Sequence, residues 1–204
     1  MGNHEIMYFV LSYFVGSIPT GFIVFWYSKK NDIRNEGSGN TGATNILRTC
    51  GKKAAIITLL ADILKGAVPV AYGIIHFKYS PLIIGGGALA IIGHIFPVWL
   101  KFKGGKGVAT FAGAFLAYMG ASDGILIFPI FVFSFGISML YSKTVSISSL
   151  SGISGAFFAV LFTNVVEVSL IVLLVNILIV IKHKENIARI ISGKEHTFHR
   201  RNIE

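Results

Sequence analysis

An all-α membrane protein that crosses the bilayer about seven times is the fold class this sequence predicts, and three observations predict it. Of the 204 residues, 53% are hydrophobic, above the roughly 45–50% of an average soluble domain. They fall in long tracts near 5–27, 54–77, 80–100, 107–120, 122–141, 146–164 and 166–182, and a helix needs about 20 apolar residues at 1.5 Å rise each to cross the hydrocarbon. Charge alternates between connections: sixteen of the eighteen Lys and Arg follow the first, third, fifth and seventh tracts. The positive-inside rule makes those connections cytoplasmic, with the N-terminus outside and the C-terminus inside.

The first tract has only His4 and Glu5 ahead of it, so it lacks the basic start of a signal peptide and reads as a retained span. The opening Met-Gly-Asn-His-Glu-Ile has no Ser or Thr at its sixth position, which argues against myristoylation. The second tract carries Asp62 and Lys65, spaced i,i+3 so that they can pair; such a pair either braces helices or serves a site. The third closes on Gly93-His94-Ile95-Phe96-Pro97-Val98-Trp99. Pro97 kinks or ends the helix, Trp99 suits the interface, and His94 either bonds a freed carbonyl or touches substrate.

The fourth tract is short and reads as a partly inserted helix packed on protein, because backbone polar groups at membrane depth need internal partners. The sixth opens with Ser146, Ser148 and Ser149, which either cap the helix or line a site. The outer connections hold Glu5, Asp123 and Glu167, with Lys78 their only basic residue. No linker or internal repeat divides the chain, so 1–204 reads as one domain. The single Cys50 excludes an internal disulfide and reads as a small loop residue. The net charge of +9 is mainly an orientation signal and a draw for anionic headgroups, and nucleic acid is not expected as a partner.

Three polar motifs lie on the cytoplasmic side. Gly37-Ser38-Gly39-Asn40-Thr41-Gly42-Ala43-Thr44-Asn45, followed by Arg48, packs glycines that let backbone N–H groups converge on an anion beside hydroxyl and amide donors. Arg48 can add a bidentate clamp. The competing reading is a flexible turn-rich loop. Lys101-Phe102-Lys103-Gly104-Gly105-Lys106-Gly107 precedes the fourth helix and offers glycine N–H groups, a helix dipole and lysine charge to an anion. It is not a Walker A motif, since Gly107 stands where Ser or Thr is needed, so nucleotide hydrolysis is not supported. The alternative is a basic anchor with turn glycines. At the end of the last span, His183, Asn186 and Arg189, followed by Gly193-Lys194-Glu195, recur every third residue and so share a helix face. A solvated helix end explains the charges there but explains Asn186 less well.

With these segments the sequence resembles the bacterial acyl-phosphate:glycerol-3-phosphate acyltransferases of the PlsY type. The resemblance rests on residues 37–45 with Arg48, 93–99 with Lys-Gly-Gly-Lys-Gly at 103–107, and His-Lys-Glu-Asn-Ile-Ala-Arg at 183–189 with Gly-Lys-Glu at 193–195; Asp62-Ile63-Leu64-Lys65-Gly66 also fits. It runs in order from about residue 16 to 196, and the tail from Thr197 lies beyond it. It implies transfer of a fatty acyl group from acyl phosphate to the 1-hydroxyl of sn-glycerol 3-phosphate, giving lysophosphatidic acid and inorganic phosphate. By resemblance the catalytic residues are Ser38, Arg48, Lys106, His183 and Asn186. The substrate-binding set is Gly39, Asn40, Thr41, Asn45, His94, Lys103, Gly104, Gly105, Gly107, Ser146, Ser149 and Glu195.

Two phosphorylated reactants suit several anion-binding motifs, and the acyl chain suits a groove in a helical bundle. No His here has an Asp five positions on, so the His-x4-Asp mechanism of other acyltransferases does not transfer. Acyl phosphate is already activated, so placement and electrostatics suffice without an acyl-enzyme. No carboxylate cluster with metal-ligand spacing is present in the sequence, and neither metal nor cofactor is expected. The chain is expected to act as a monomer in the bacterial cytoplasmic membrane. An organic-phosphate carrier would also want anion sites, but it needs a path to the opposite face, and midplane helix breaks and repeated halves are not evident in the sequence. A purely structural subunit leaves the three motifs unexplained.

Overall fold

The computed structural model describes residues 2–121, 124–163 and 165–197. Asp123, Arg200 and Arg201, which entered the charge pattern, lie outside these residues. The described chain is helical and forms two compact units, 1–121 and 122–204.

The first unit begins with α1 (Asn3–Ser17) and α2 (Thr20–Lys29), where one unbroken helix was expected over 5–27. The break falls at Ile18-Pro19: proline has no N–H to donate, and the residue before it is pushed out of the α region, as the ψ of 117° at Ile18 shows. At the opening the Ile18 carbonyl accepts the Thr20 N–H at 3.0 Å and a second hydrogen bond from Lys65 Nζ at 3.0 Å. The next helices are α3 (Ala43–Cys50), α4 (Lys52–His76), α5 (Ser80–Ile95) and α6 (Val108–Tyr118).

Helix α1 packs on α5, and α4 lies against both α5 and α6. The α4–α6 contact needs glycine on both sides: a Cβ at Gly66 would overlap the Thr110 carbonyl, and one at Gly113 the Ile63 carbonyl. Tyr8 of α1 sends its hydroxyl to the carbonyls of Pro69 and Ile83, 3.0 Å from each, tying α1 to α4 and α5. A smaller apolar cluster of Phe25, Ile33, Ile46 and Ala55 sits under the polar loop. It anchors residues 30–50 to α2 and α4. Cys50, read from sequence as a loop residue, is the last residue of α3 and packs half-buried against that cluster.

The second unit contains α7 (Ile127–Ser142), α8 (Val145–Val160), α9 (Val166–Lys182) and α10 (Lys184–Ile191). Helix α8 packs between α7 and α9, and buried Asn176 of α9 donates to the Ile153 carbonyl of α8 at 2.8 Å. Between α9 and α10 the chain bends by 59° at His183.

Four segments, 3–29, 52–76, 80–100 and 145–163, are long and apolar enough to cross a membrane, and α9 and α10 pass the same test only when taken together as one bent span. The tracts expected at 107–120 and 122–141 form the shorter apolar helices α6 and α7. The third tract stops at Ile95, because Pro97 cannot continue it. The protein is therefore a multi-pass, all-helical membrane protein.

Candidate active site

In the first unit the serine-glycine loop is organised by Asn45. Buried in the first turn of α3, it accepts the Ser38 N–H at 2.9 Å on Oδ1 and donates through Nδ2 to the Glu36 and Asn40 carbonyls, 2.9 Å each. Both amide hydrogens thus serve the loop itself. Asn40 Oδ1 accepts the Gly42 N–H at 2.9 Å, and Gly37 and Gly39 take positive φ of 59° and 69°. The result is a tight turn that leaves Ser38 exposed, Thr41 buried and Arg48 half-buried on α3.

The lysine-glycine loop begins where α5 ends. Lys101 and Phe102 take left-handed φ of 53° and 61°, and the chain turns back so that Gly104 N–H donates to the Ile95 carbonyl at 3.2 Å and Gly105 N–H to the His94 carbonyl at 3.1 Å. Neither glycine can carry a Cβ, since at Gly104 it would strike the His94 carbonyl and at Gly105 the His94 ring. Gly107, at φ 89°, is the N-cap of α6. Lys106 is half-buried and Lys103 exposed. The first N–H groups of α6 have no partner within the helix, and with Lys106 beside them they present positive potential.

Arg34 joins the two loops. Its Nε and Nη2 fork onto Asp32, with Nη2 2.6 Å from Oδ2, while Nη1 donates to the Leu100 carbonyl at 3.1 Å. The Arg34 hydrogen bonds hold the Asp32 carboxyl below the usual range. The sequence reading took Arg34 only as a topology charge. An acid two residues from an arginine in an otherwise basic loop was the available signal.

In the second unit Glu195 is the hub. It accepts from Ser146 Oγ at 2.8 Å, Asn186 Nδ2 at 2.6 Å and Arg189 Nε at 2.7 Å. Burial alone would raise its pKa, but these three hydrogen bonds and the Arg189 charge outweigh burial and hold it below the usual carboxylate value. Ser149 is buried on α8. His183, 1% exposed, has Nδ1 2.8 Å from the Ile179 carbonyl. A carbonyl only accepts, so Nδ1 carries the proton and Nε2 is the basic nitrogen of the neutral ring. Among the described residues no three His, Cys, Asp or Glu side chains come together as a metal site would require.

The Gly104 and Gly105 N–H groups, which the sequence suggested for an anion, are thus spent on the end of α5, and the fold and these clusters define a class: a multi-pass helical membrane protein with tightly folded, glycine-rich polar loops that carry Arg48 and Lys106. A family model described as glycerol-3-phosphate acyltransferase matches residues 6–193. The glycerol-3-phosphate acyltransferase of Endomicrobium trichonymphae is 40% identical over 195 residues, 94% of each chain. That of Bacillus subtilis is 41% identical over 188 residues, 91% of this chain and 93% of its own. A crystal structure of PlsY (YgiH), an integral membrane glycerol 3-phosphate acyltransferase in its glycerol 3-phosphate form, superposes with a TM-score of 0.86 at 34% identity over 96% of both chains. The lysophosphatidic acid form gives 0.83 at 32%. This chain belongs to the glycerol-3-phosphate acyltransferase family.

Proposed function

We propose that the chain transfers a fatty acyl group from acyl phosphate to the 1-hydroxyl of sn-glycerol 3-phosphate, releasing lysophosphatidic acid and inorganic phosphate. The observation that carries this reading is the end-to-end match to glycerol-3-phosphate acyltransferases at about 40% identity, joined by PlsY structures in glycerol 3-phosphate and lysophosphatidic acid forms.

The hydroxyl oxygen attacks the acyl carbon, the bond from that carbon to the phosphate oxygen breaks, and phosphate leaves. Ser38, Arg48 and Lys106 hold phosphate, with Gly39, Asn40, Thr41 and Lys103 around them, and the turn through Gly104, Gly105 and Gly107 brings the first N–H groups of α6 to one reactant. Such fixed donors stabilise charge without reorganising during the reaction. His183 and Asn186 orient glycerol 3-phosphate, the Glu195 hub with Ser146 keeps Asn186 in place, and Ser149 lines the substrate site. The proton of the attacking hydroxyl goes to His183 Nε2 or to a phosphate oxygen of the substrate. A His183→Gln loss of roughly 10²–10⁴-fold in kcat/KM assigns it to His183; a loss below about tenfold assigns it to phosphate.

We read α6 and α7 as the two spans that complete seven, with the N-terminus outside and the polar loops on the cytoplasmic face of the bacterial inner membrane. Residues 1–204 work as one functional domain and as a monomer, with no metal or cofactor. The test is phosphate release by the purified protein given palmitoyl phosphate and glycerol 3-phosphate, with palmitoyl-coenzyme A as parallel donor. Release that needs both substrates, fails with the coenzyme A donor and collapses in Lys106→Ala is the expected result. No release in an active lipid or detergent environment overturns it.

A further inference from the structure

A buried polar network in the first unit is built on Asp62 and Lys65, neither of which the reaction just described uses. Asp62 and Lys65 of α4 are 2% and 6% exposed, with Lys65 Nζ 2.8 Å from Asp62 Oδ1. The same carboxylate oxygen accepts the Thr20 hydroxyl, and Lys65 also donates to the Ile18 carbonyl at 3.0 Å. His94 Nδ1 stands 3.5 Å from Asp62 Oδ1, is buried and has no hydrogen-bond partner. A small gap lined among others by Thr20, Thr41, Lys65, His94 and Pro97 adjoins the network.

We propose that Asp62, Lys65 and Thr20 are positioning residues that set the lysine-glycine loop through His94. The His94 imidazole stands between the Asp62 carboxylate and Gly105: Nδ1 faces the acid, while Nε2 occupies the place where a Cβ on Gly105 would go. The His94 carbonyl also accepts the Gly105 N–H at 3.1 Å. At its other end the loop enters α6, which is fixed to α4 by the Gly66 and Gly113 contacts. Both ends of the loop are therefore referenced to α4, one through His94 and one through backbone contact.

A hydrogen-bonded ion pair suits this task, because it is directional and leaves a costly unpaired charge if either partner shifts, whereas apolar packing tolerates sliding. The inference rests on the proposed function in one respect, that the loop holds a substrate phosphate.

The test compares the wild type with Thr20→Val, which removes one hydrogen bond at constant volume, and with the double variant Asp62→Asn/Lys65→Met, which removes both charges together. Three quantities are measured: kcat and the KM for each of glycerol 3-phosphate and palmitoyl phosphate with the other saturating, of which the KM of the reactant the loop holds is the one read, the melting temperature in detergent, and backbone hydrogen exchange over residues 101–107. A loop displaced by a fraction of an ångström should raise KM about tenfold while kcat stays within about threefold, with near-native melting and faster exchange in that segment alone. Unchanged KM and unchanged exchange in an active protein overturn the proposal, as does a loss of kcat that merely follows melting. Should the double variant fail to fold, Thr20→Val decides by the same readouts. A wild type that releases no phosphate refutes the functional reading instead, and exchange over 101–107 then decides the network by itself.

Discussion

Asn45 and Glu195 show how one polar side chain can shape a loop. Replacing Asn45 with Ala removes three hydrogen bonds to partly solvated groups and should cost about 1–3 kcal/mol in thermal unfolding. Asn45→Asp should lose at least as much, because an anion would face the Glu36 and Asn40 carbonyls that now accept from Nδ2. Glu195 brings a pH dependence. Its folded pKa lies below the usual carboxylate value, so its contribution is complete above the unfolded value of about 4.3 and is lost as pH falls through the folded one. The difference in melting temperature between the wild type and Glu195→Gln should be flat above about pH 5 and should close below about pH 4. The sequence marked both residues as substrate-binding through the family resemblance that their motifs carry. It could not show that Asn45 spends both amide hydrogens inside its own loop, since that depends on where Glu36 and Asn40 turn.

At the scale of elements, helices read from long apolar tracts kept their places: α4 lies within two residues of its expected start and one of its expected end, and α9 spans 166–182 as expected. The departures have local causes. Pro19 divides the first tract, Pro97 stops the third, and the amphipathic α3 was hidden in a stretch whose glycine and asparagine content reads as loop. Periodicity also cannot reveal which glycines face a neighbouring helix. Gly66 and Gly113 let α4 and α6 approach closely, so Gly113→Val should force them apart and destabilise by about 1–3 kcal/mol or more. Gly136→Ala is the control: nothing lies within 4 Å of a Cβ there, and melting should not fall.

For the whole molecule, the charge pattern predicts a testable orientation. In a Cys50→Ser background, Lys78→Cys should react with an impermeant maleimide on intact cells, whereas Lys53→Cys and Lys194→Cys should react only after permeabilisation. Labelling of position 53 from outside would invert the topology. Family membership was legible because its motifs are local strings, while the Arg34 bridge to Leu100 and the Thr20–Asp62 hydrogen bond join residues 66 and 42 positions apart, and no short window displays them. The break at Ile18-Pro19 also bears on biogenesis. Besides the Thr20 N–H, the Ile18 carbonyl takes its second donor from Lys65, 47 residues further along the chain. A nascent chain that releases its first hydrophobic segment into lipid alone would therefore leave this carbonyl in hydrocarbon with only its local hydrogen bond from Thr20. The first segment is best held at the insertion machinery until the second arrives, so that the two leave as a pair.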